Sequence, residues 1–171
     1  MTLRRTLLLL WASLTLGNLW ASDAEVRTGF LVNFARFTTW PESVLSATDP
    51  LRMCLAPGDA GMVSQWAELA RQPIQGHSVQ ARLIARPGEV KDCHLLYLPA
   101  ELTGPLKHWL SAAQQVRALI VGDMPGLVDA GGMIELALSG GRYRFDVNLV
   151  AASQADLHIS SQLLKLARTV K

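Results

Sequence analysis

Apolar side chains at Val26, Phe30, Phe34 and Phe37 recur three or four positions apart, which places them on one face of a helix and predicts an amphipathic helix over 25–37. Trp40-Pro41 stops it, because a residue before proline is pushed out of helical geometry. Residues 51–56, closed by Pro57-Gly58, read as a buried strand. A helix over 62–70, carrying Trp66 and Leu69 and ending before Pro73, leads to a strand over 79–85 in which Val79, Ala81 and Leu83 alternate with Gln80 and Arg82. Pro87-Gly88 turns the chain toward 94–98, a short continuous apolar run with the pattern of a strand covered on both faces. A helix over 106–115, with Leu106, Trp109 and Leu110 inward, and a buried strand over 118–121 follow.

Strands alternating with helices indicate parallel crossovers and a layered fold. The rhythm changes after Gly131-Gly132, where 133–138 and 142–149, joined at Gly140-Gly141, read as a hairpin. In its second strand Tyr143, Phe145, Val147 and Leu149 alternate with Arg142, Arg144, Asp146 and Asn148. A last helix is predicted over 161–170. The expected class is α/β: a layered α/β/α sandwich with a mixed, mostly parallel sheet and a C-terminal β-hairpin plus helix.

Upstream of this domain, Arg4 and Arg5 precede an apolar run from Leu7 to Ala12 that continues with small interruptions to Leu16, and Ser22 and Ala24 follow at small-x-small spacing. This is the pattern of a cleaved export signal, expected to span 1–24 and to leave a single domain over 25–171. The apolar stretch is roughly half the ~20 residues a membrane span requires. The chain carries 16 Lys and Arg against 14 Asp and Glu, so losing Arg4 and Arg5 leaves it close to neutral. A nucleic-acid partner, which calls for clustered basic charge, is therefore not expected. In an oxidising compartment the two cysteines, Cys54 and Cys93, read first as a disulfide. Two buried thiols, or a metal site assisted by His77 or His94, are the alternatives; the second lacks the close ligand pairs zinc favours.

Several blocks together resemble the periplasmic YfiR-like family. They are Phe30-Leu31-Val32-Asn33-Phe34-Ala35-Arg36-Phe37-Thr38-Thr39-Trp40-Pro41, then Val121-Gly122-Asp123 with Gly131-Gly132-Met133-Ile134, then Arg144-Phe145-Asp146-Val147-Asn148, and the tail Ser160-Ser161-Gln162-Leu163-Leu164-Lys165-Leu166-Ala167. The placement of Cys54 and Cys93 resembles a disulfide of that family. The resemblance implies a periplasmic repressor that binds the sensor domain of an inner-membrane diguanylate cyclase and lowers cyclic di-GMP. It also implies release by a sequestering partner such as an outer-membrane lipoprotein, and a homodimer. No cofactor and no catalytic role is implied.

An enzyme is the rival class, but the chain contains no nucleophile elbow, zinc-protease helix or phosphate loop. Val121-Gly122-Asp123 lies where an open α/β sheet can hold a ligand, beyond the carboxyl end of a strand. A small-molecule sensor module is the other alternative, with Arg144, Asn148 and His158 as polar contacts and Trp40 as an apolar wall. For a protein partner, Asn33, Arg36 and Trp40 are the expected contacts, since positions 33 and 36 lie one helical turn apart.

Overall fold

The computed structural model describes residues 22–171, so positions 1–21 of the expected export signal lie outside the described residues. The chain runs α1 (Asp23–Arg36), β1 (Thr38–Thr39), β2 (Leu51–Leu55), α2 (Ala60–Trp66), β3 (Val79–Leu83), β4 (Leu95–Leu98), α3 (Leu106–Gln115), β5 (Leu119–Gly122), β6 (Ile134–Ser139), β7 (Arg142–Val147), α4 (Leu149–Gln154), β8 (His158–Ile159), α5 (Ser161–Leu164) and β9 (Thr169–Val170). The main sheet has the order β3-β2-β4-β5-β6-β7-β9, and a small ribbon pairs β1 with β8. Within the main sheet only β6 and β7 are antiparallel. The mixed, mostly parallel α/β architecture with a late hairpin is the one the sequence predicts.

The strand order explains the layers. From β2 the chain crosses through α2 to β3 on one side, whereas from β4 it crosses through α3 to β5 on the other. Right-handed crossovers running in opposite directions place their helices on opposite faces. The central strands β4 and β5 are accordingly buried at every position. The reversal between β2 and β4 is a topological switch point, the place where such sheets open a crevice at their carboxyl edge.

α1 starts at Asp23, with the Ser22 hydroxyl accepting from the Glu25 amide at 3.2 Å. A domain boundary at 24/25 therefore falls within its first turn. The buried side of α1 is Ala24, Arg27, Thr28, Leu31, Phe34 and Ala35. The phenylalanine stripe expected from periodicity is rotated from this face, so Phe34 is fully buried while Phe30 and Phe37 are half-buried. Phe30 still leans on Tyr143 and Phe145, and the Phe34 and Phe145 rings meet edge to face at 5.0 Å. Pairs of that kind contribute about 0.5–1.5 kcal/mol beyond their buried area. At the C-terminal end of α1, the Gln75 amide donates to the carbonyls of Ala35, Arg36 and Thr38.

The tail departs from the predicted helix over 161–170. α5 stops at Leu164, and β9 then pairs in parallel with β7. The cause is the open edge of β7: the Arg168 and Lys171 amides donate to the carbonyls of Phe145 and Val147, and the Arg168 guanidinium closes on the buried Asp146 carboxylate. The strand expected over 142–149 likewise ends at Val147, because Asn148 caps α4 through the Ala151 amide at 2.9 Å.

At the amino edge of the sheet, Cys54 in β2 and Cys93 just before β4 form a disulfide, with Cα atoms 5.9 Å apart. The bond joins adjacent strands, as expected if it staples the sheet. Beside it the Trp40 indole N–H donates to the His94 carbonyl at 2.9 Å, and the His94 Nδ1 accepts from the Arg52 amide at 3.0 Å. Burial, reinforced by the Arg52 charge, lowers the pKa of His94 from 6.5 to about 4.

Two measurements check these packing arguments. Removing the disulfide in a Cys54→Ser/Cys93→Ser variant frees a loop with a sequence separation of 39 residues and is expected to lower unfolding stability by about 4 kcal/mol in chemical denaturation. His94 stays neutral in the folded chain until pH about 4, whereas the unfolded chain binds that proton near pH 6.5. Stability should therefore fall as pH drops through this window, by at most ~1.4 kcal/mol per unit, and stay level in this respect above it. His94→Gln should flatten that slope in denaturation midpoints measured between pH 4 and 7.

Candidate functional site

Strands β2, β4 and β5 all deliver their following residues to the carboxyl edge. After β2 the chain turns at Pro57-Gly58 and reaches Asp59, whose Oδ1 accepts from the Met62 amide at 3.0 Å and caps α2. Gly58 has φ +139°, and a Cβ there would lie 2.4 Å from the Glu101 carbonyl oxygen. After β5, Gly122 passes so close to β4 that a Cβ would fall 2.2 Å from the Leu98 carbonyl oxygen. That approach positions Asp123, whose Oδ1 accepts from the Ala100 amide at 2.8 Å. The Val121-Gly122-Asp123 motif is thus a device for seating one carboxylate at the switch point.

Arg27, from the buried side of α1, enters the crevice between these loops. Its Nη1 lies 2.5 Å from Asp59 Oδ2, 2.7 Å from Asp123 Oδ2 and 3.3 Å from the Tyr97 hydroxyl, while its Nε faces Asp23 at 3.2 Å. The Nε geometry toward Asp23 is that of an ion pair without a hydrogen bond. Asp23 in turn accepts from the Tyr143 hydroxyl. Burial opposes the guanidinium charge, but Tyr97, Asp59 and Asp123 outweigh it and hold the group firmly protonated. Burial first, and then the neighbouring Asp123 carboxylate, push the Tyr97 phenol well above its usual range, so it stays neutral.

The crevice where an open sheet would receive a ligand is therefore filled by the protein's own guanidinium. Asp59 and Asp123 each spend one oxygen on a backbone amide and the other on Arg27. The arrangement is a clamp that fixes α1 to the sheet. Sequence reasoning pointed to Asp123 but missed Arg27, Asp59 and Tyr97. The available signal was the single arginine at a position one turn from Ala24 and Leu31, on a face that otherwise reads as apolar.

The sequence-expected contact residues lie elsewhere. Asn33 and Arg36 are exposed on α1, with Arg36 donating to Asn33 Oδ1 at 3.4 Å. His158 is exposed on β8, whose partner β1 directly follows α1, so the ribbon brings His158 to the same end of the helix. Trp40 is buried at 7% exposure with its indole N–H satisfied, which makes it a packing residue here in place of a surface contact or ligand wall. Arg144 is exposed on β7, and Asn148 is engaged as the α4 cap and as donor to the Val128 carbonyl. The four groups Arg144, Asn148, His158 and Trp40 do not converge on one cavity.

Among the described residues no helix is long and apolar enough to cross a membrane, and no group of three or more His, Cys, Asp or Glu is placed to hold a metal ion.

Replacing Arg27 with Met is expected to cost about 3 kcal/mol of unfolding stability, because it strands two part-buried carboxylates. Arg27→Lys, which keeps the charge but loses the fork, should cost less, and denaturant titration of both variants beside the parent ranks them.

A comparison with curated proteins finds no match. Among solved structures, a conserved domain protein from Vibrio cholerae O1 biovar eltor matches at a TM-score of 0.56 and 15% identity over 88% of this chain. A structure titled as the ABC domain in complex with L-Trp from Streptococcus pneumonia matches at 0.54 and 12% identity over 82% of it. This chain spans 60% of the length of each, and at such identities the likeness concerns the fold alone. The family model described as YfiR/HmsC-like matches residues 24–168, nearly all of the described chain. The protein belongs to the YfiR/HmsC-like family.

Proposed function

We propose that this protein is a periplasmic repressor that binds the sensor domain of an inner-membrane diguanylate cyclase and lowers cyclic di-GMP. The observation that carries the reading is the family match across residues 24–168. The export signature at Arg4, Arg5 and the following leucines agrees with it. So does the carboxyl-edge crevice, where open α/β sheets place their ligands, because here Arg27, Asp59 and Asp123 already satisfy one another.

Repression of this kind is a population shift. The regulator favours the inactive cyclase only by the difference in its affinity for the two cyclase states. The contact surface we assign is the end of α1 that carries Asn33 and Arg36, joined by His158 across the β1–β8 ribbon. These side chains are exposed and their hydrogen-bonding capacity is little used within the fold. An outer-membrane lipoprotein that covered the same surface would relieve repression by competition, and a homodimer would present it twice.

The mature chain should co-purify with the periplasmic domain of a diguanylate cyclase encoded beside it, and deleting its gene should raise cellular cyclic di-GMP. Unchanged cyclic di-GMP together with no complex would refute the reading. Arg36→Glu reverses one exposed charge and should weaken the complex about tenfold while leaving the melting temperature unchanged. An equal loss of stability would reassign Arg36 to a structural role.

A further inference from the structure

The amino edge of the sheet, opposite the Arg27 clamp, holds an open cavity of about 450 Å³ lined in part by Ser43, Arg52, Lys91, Asp92, His94 and Arg117. Its charges are unevenly matched. Arg117 pairs with Asp156 at 3.0 Å, and Asp92 faces Arg82 at 3.8 Å. Among the described residues neither Arg52 nor Lys91 has a carboxylate at ion-pairing distance. Asp49, on the loop before β2, is the remaining nearby carboxylate, and Ser46 occupies it.

Two donor groups also converge in this cavity. His94 Nδ1 accepts the Arg52 amide, so in the neutral ring the proton sits on Nε2. That Nε2–H has the Val44 backbone carbonyl as one acceptor and faces Arg52 Nη2, 3.0 Å away, which can only donate. Two donors at this separation are stabilised by an oxygen that accepts from both. Arg52 is held in place from behind, since its Nε donates to the Asp92 carbonyl at 2.5 Å. The disulfide at Cys93 and the buried Trp40 fix the wall that carries His94.

We propose that this cavity is a binding site for a small oxyanion, a phosphate or carboxylate group bridged by Arg52 and His94 Nε2–H and neutralised further by Lys91. The site is distinct from the partner surface assigned to α1 and does not depend on that reading. The same phosphate chemistry could arrive free in solution or as the headgroup of an anionic lipid.

The experiment uses the oxidised mature protein labelled with nitrogen-15. Inorganic phosphate is titrated at constant ionic strength, with sodium chloride as reference, while the His94 ring signals are followed by nuclear magnetic resonance. A saturable displacement with phosphate and none with chloride is expected. Lys91→Gln and Arg52→Gln should each weaken it about tenfold, whereas Arg71→Gln, on an exposed ion pair outside the cavity, should not. Arg52→Gln retains the backbone amide that orients His94, and Lys91 is exposed, so both variants should fold. In the second arm, phosphatidylglycerol vesicles replace phosphate in a sedimentation assay. Binding to vesicles that is lost in Lys91→Gln, without a response to free phosphate, assigns the headgroup as the source. The proposal is overturned if His94 responds to chloride and phosphate alike and vesicles bind parent and Lys91→Gln equally or not at all.

Discussion

A guanidinium that is nine-tenths buried has to be compensated from every side, and Arg27 draws its compensation from parts of the chain that share no local sequence. Asp59 arrives on the N-terminus of α2, Tyr97 on β4 and Asp123 on the turn after β5. Each of those positions is credible only if the sheet has its observed order, so the clamp and the topology enforce one another. The helix that bears Asn33 and Arg36 is oriented by the same contact. A partner reading that surface reads a helix locked to the switch point of the sheet.

The two edges of the sheet consequently differ in character. At the carboxyl edge the polar groups are mutually satisfied, and the crevice that would take a ligand in many open α/β sheets is occupied from within. At the amino edge the disulfide and Trp40 provide rigidity, and Arg52 and the His94 Nε2–H face one another as two donors 3.0 Å apart. Burial keeps that histidine neutral well below its usual range, and the Arg52 amide at Nδ1 places the ring proton on Nε2, the donor the proposed oxyanion needs.

Much was legible before any coordinate. The continuous apolar runs that became β4 and β5 announced strands covered on both faces, and Pro57-Gly58 and Pro87-Gly88 correctly closed β2 and turned the chain before β4. Two cysteines in an oxidising setting announced a disulfide between neighbouring strands. The family blocks have physical reasons as well, since Gly122 is the residue that can pass under the Leu98 carbonyl and so place Asp123. The misreadings occurred where local pattern and tertiary demand disagreed. The apolar periodicity of 161–170 suits a helix, but the unpaired edge of β7 and the buried Asp146 drew the tail into β9. Trp40, a plausible contact by its position in the motif, was claimed by the His94 carbonyl.

By itself the sequence determined the order of the main strands and helices up to the hairpin, the layered class and the family resemblance, because these follow from short-range periodicity, turn chemistry and motifs a few residues long. The tertiary structure alone decided which strands are neighbours, which side of α1 is buried, and that Arg27, Asp59, Tyr97 and Asp123 meet at one point. Those outcomes depend on contacts between segments as far apart in the chain as Asp23 and Tyr143, and a buried charge finds its partners only after the sheet has brought them together.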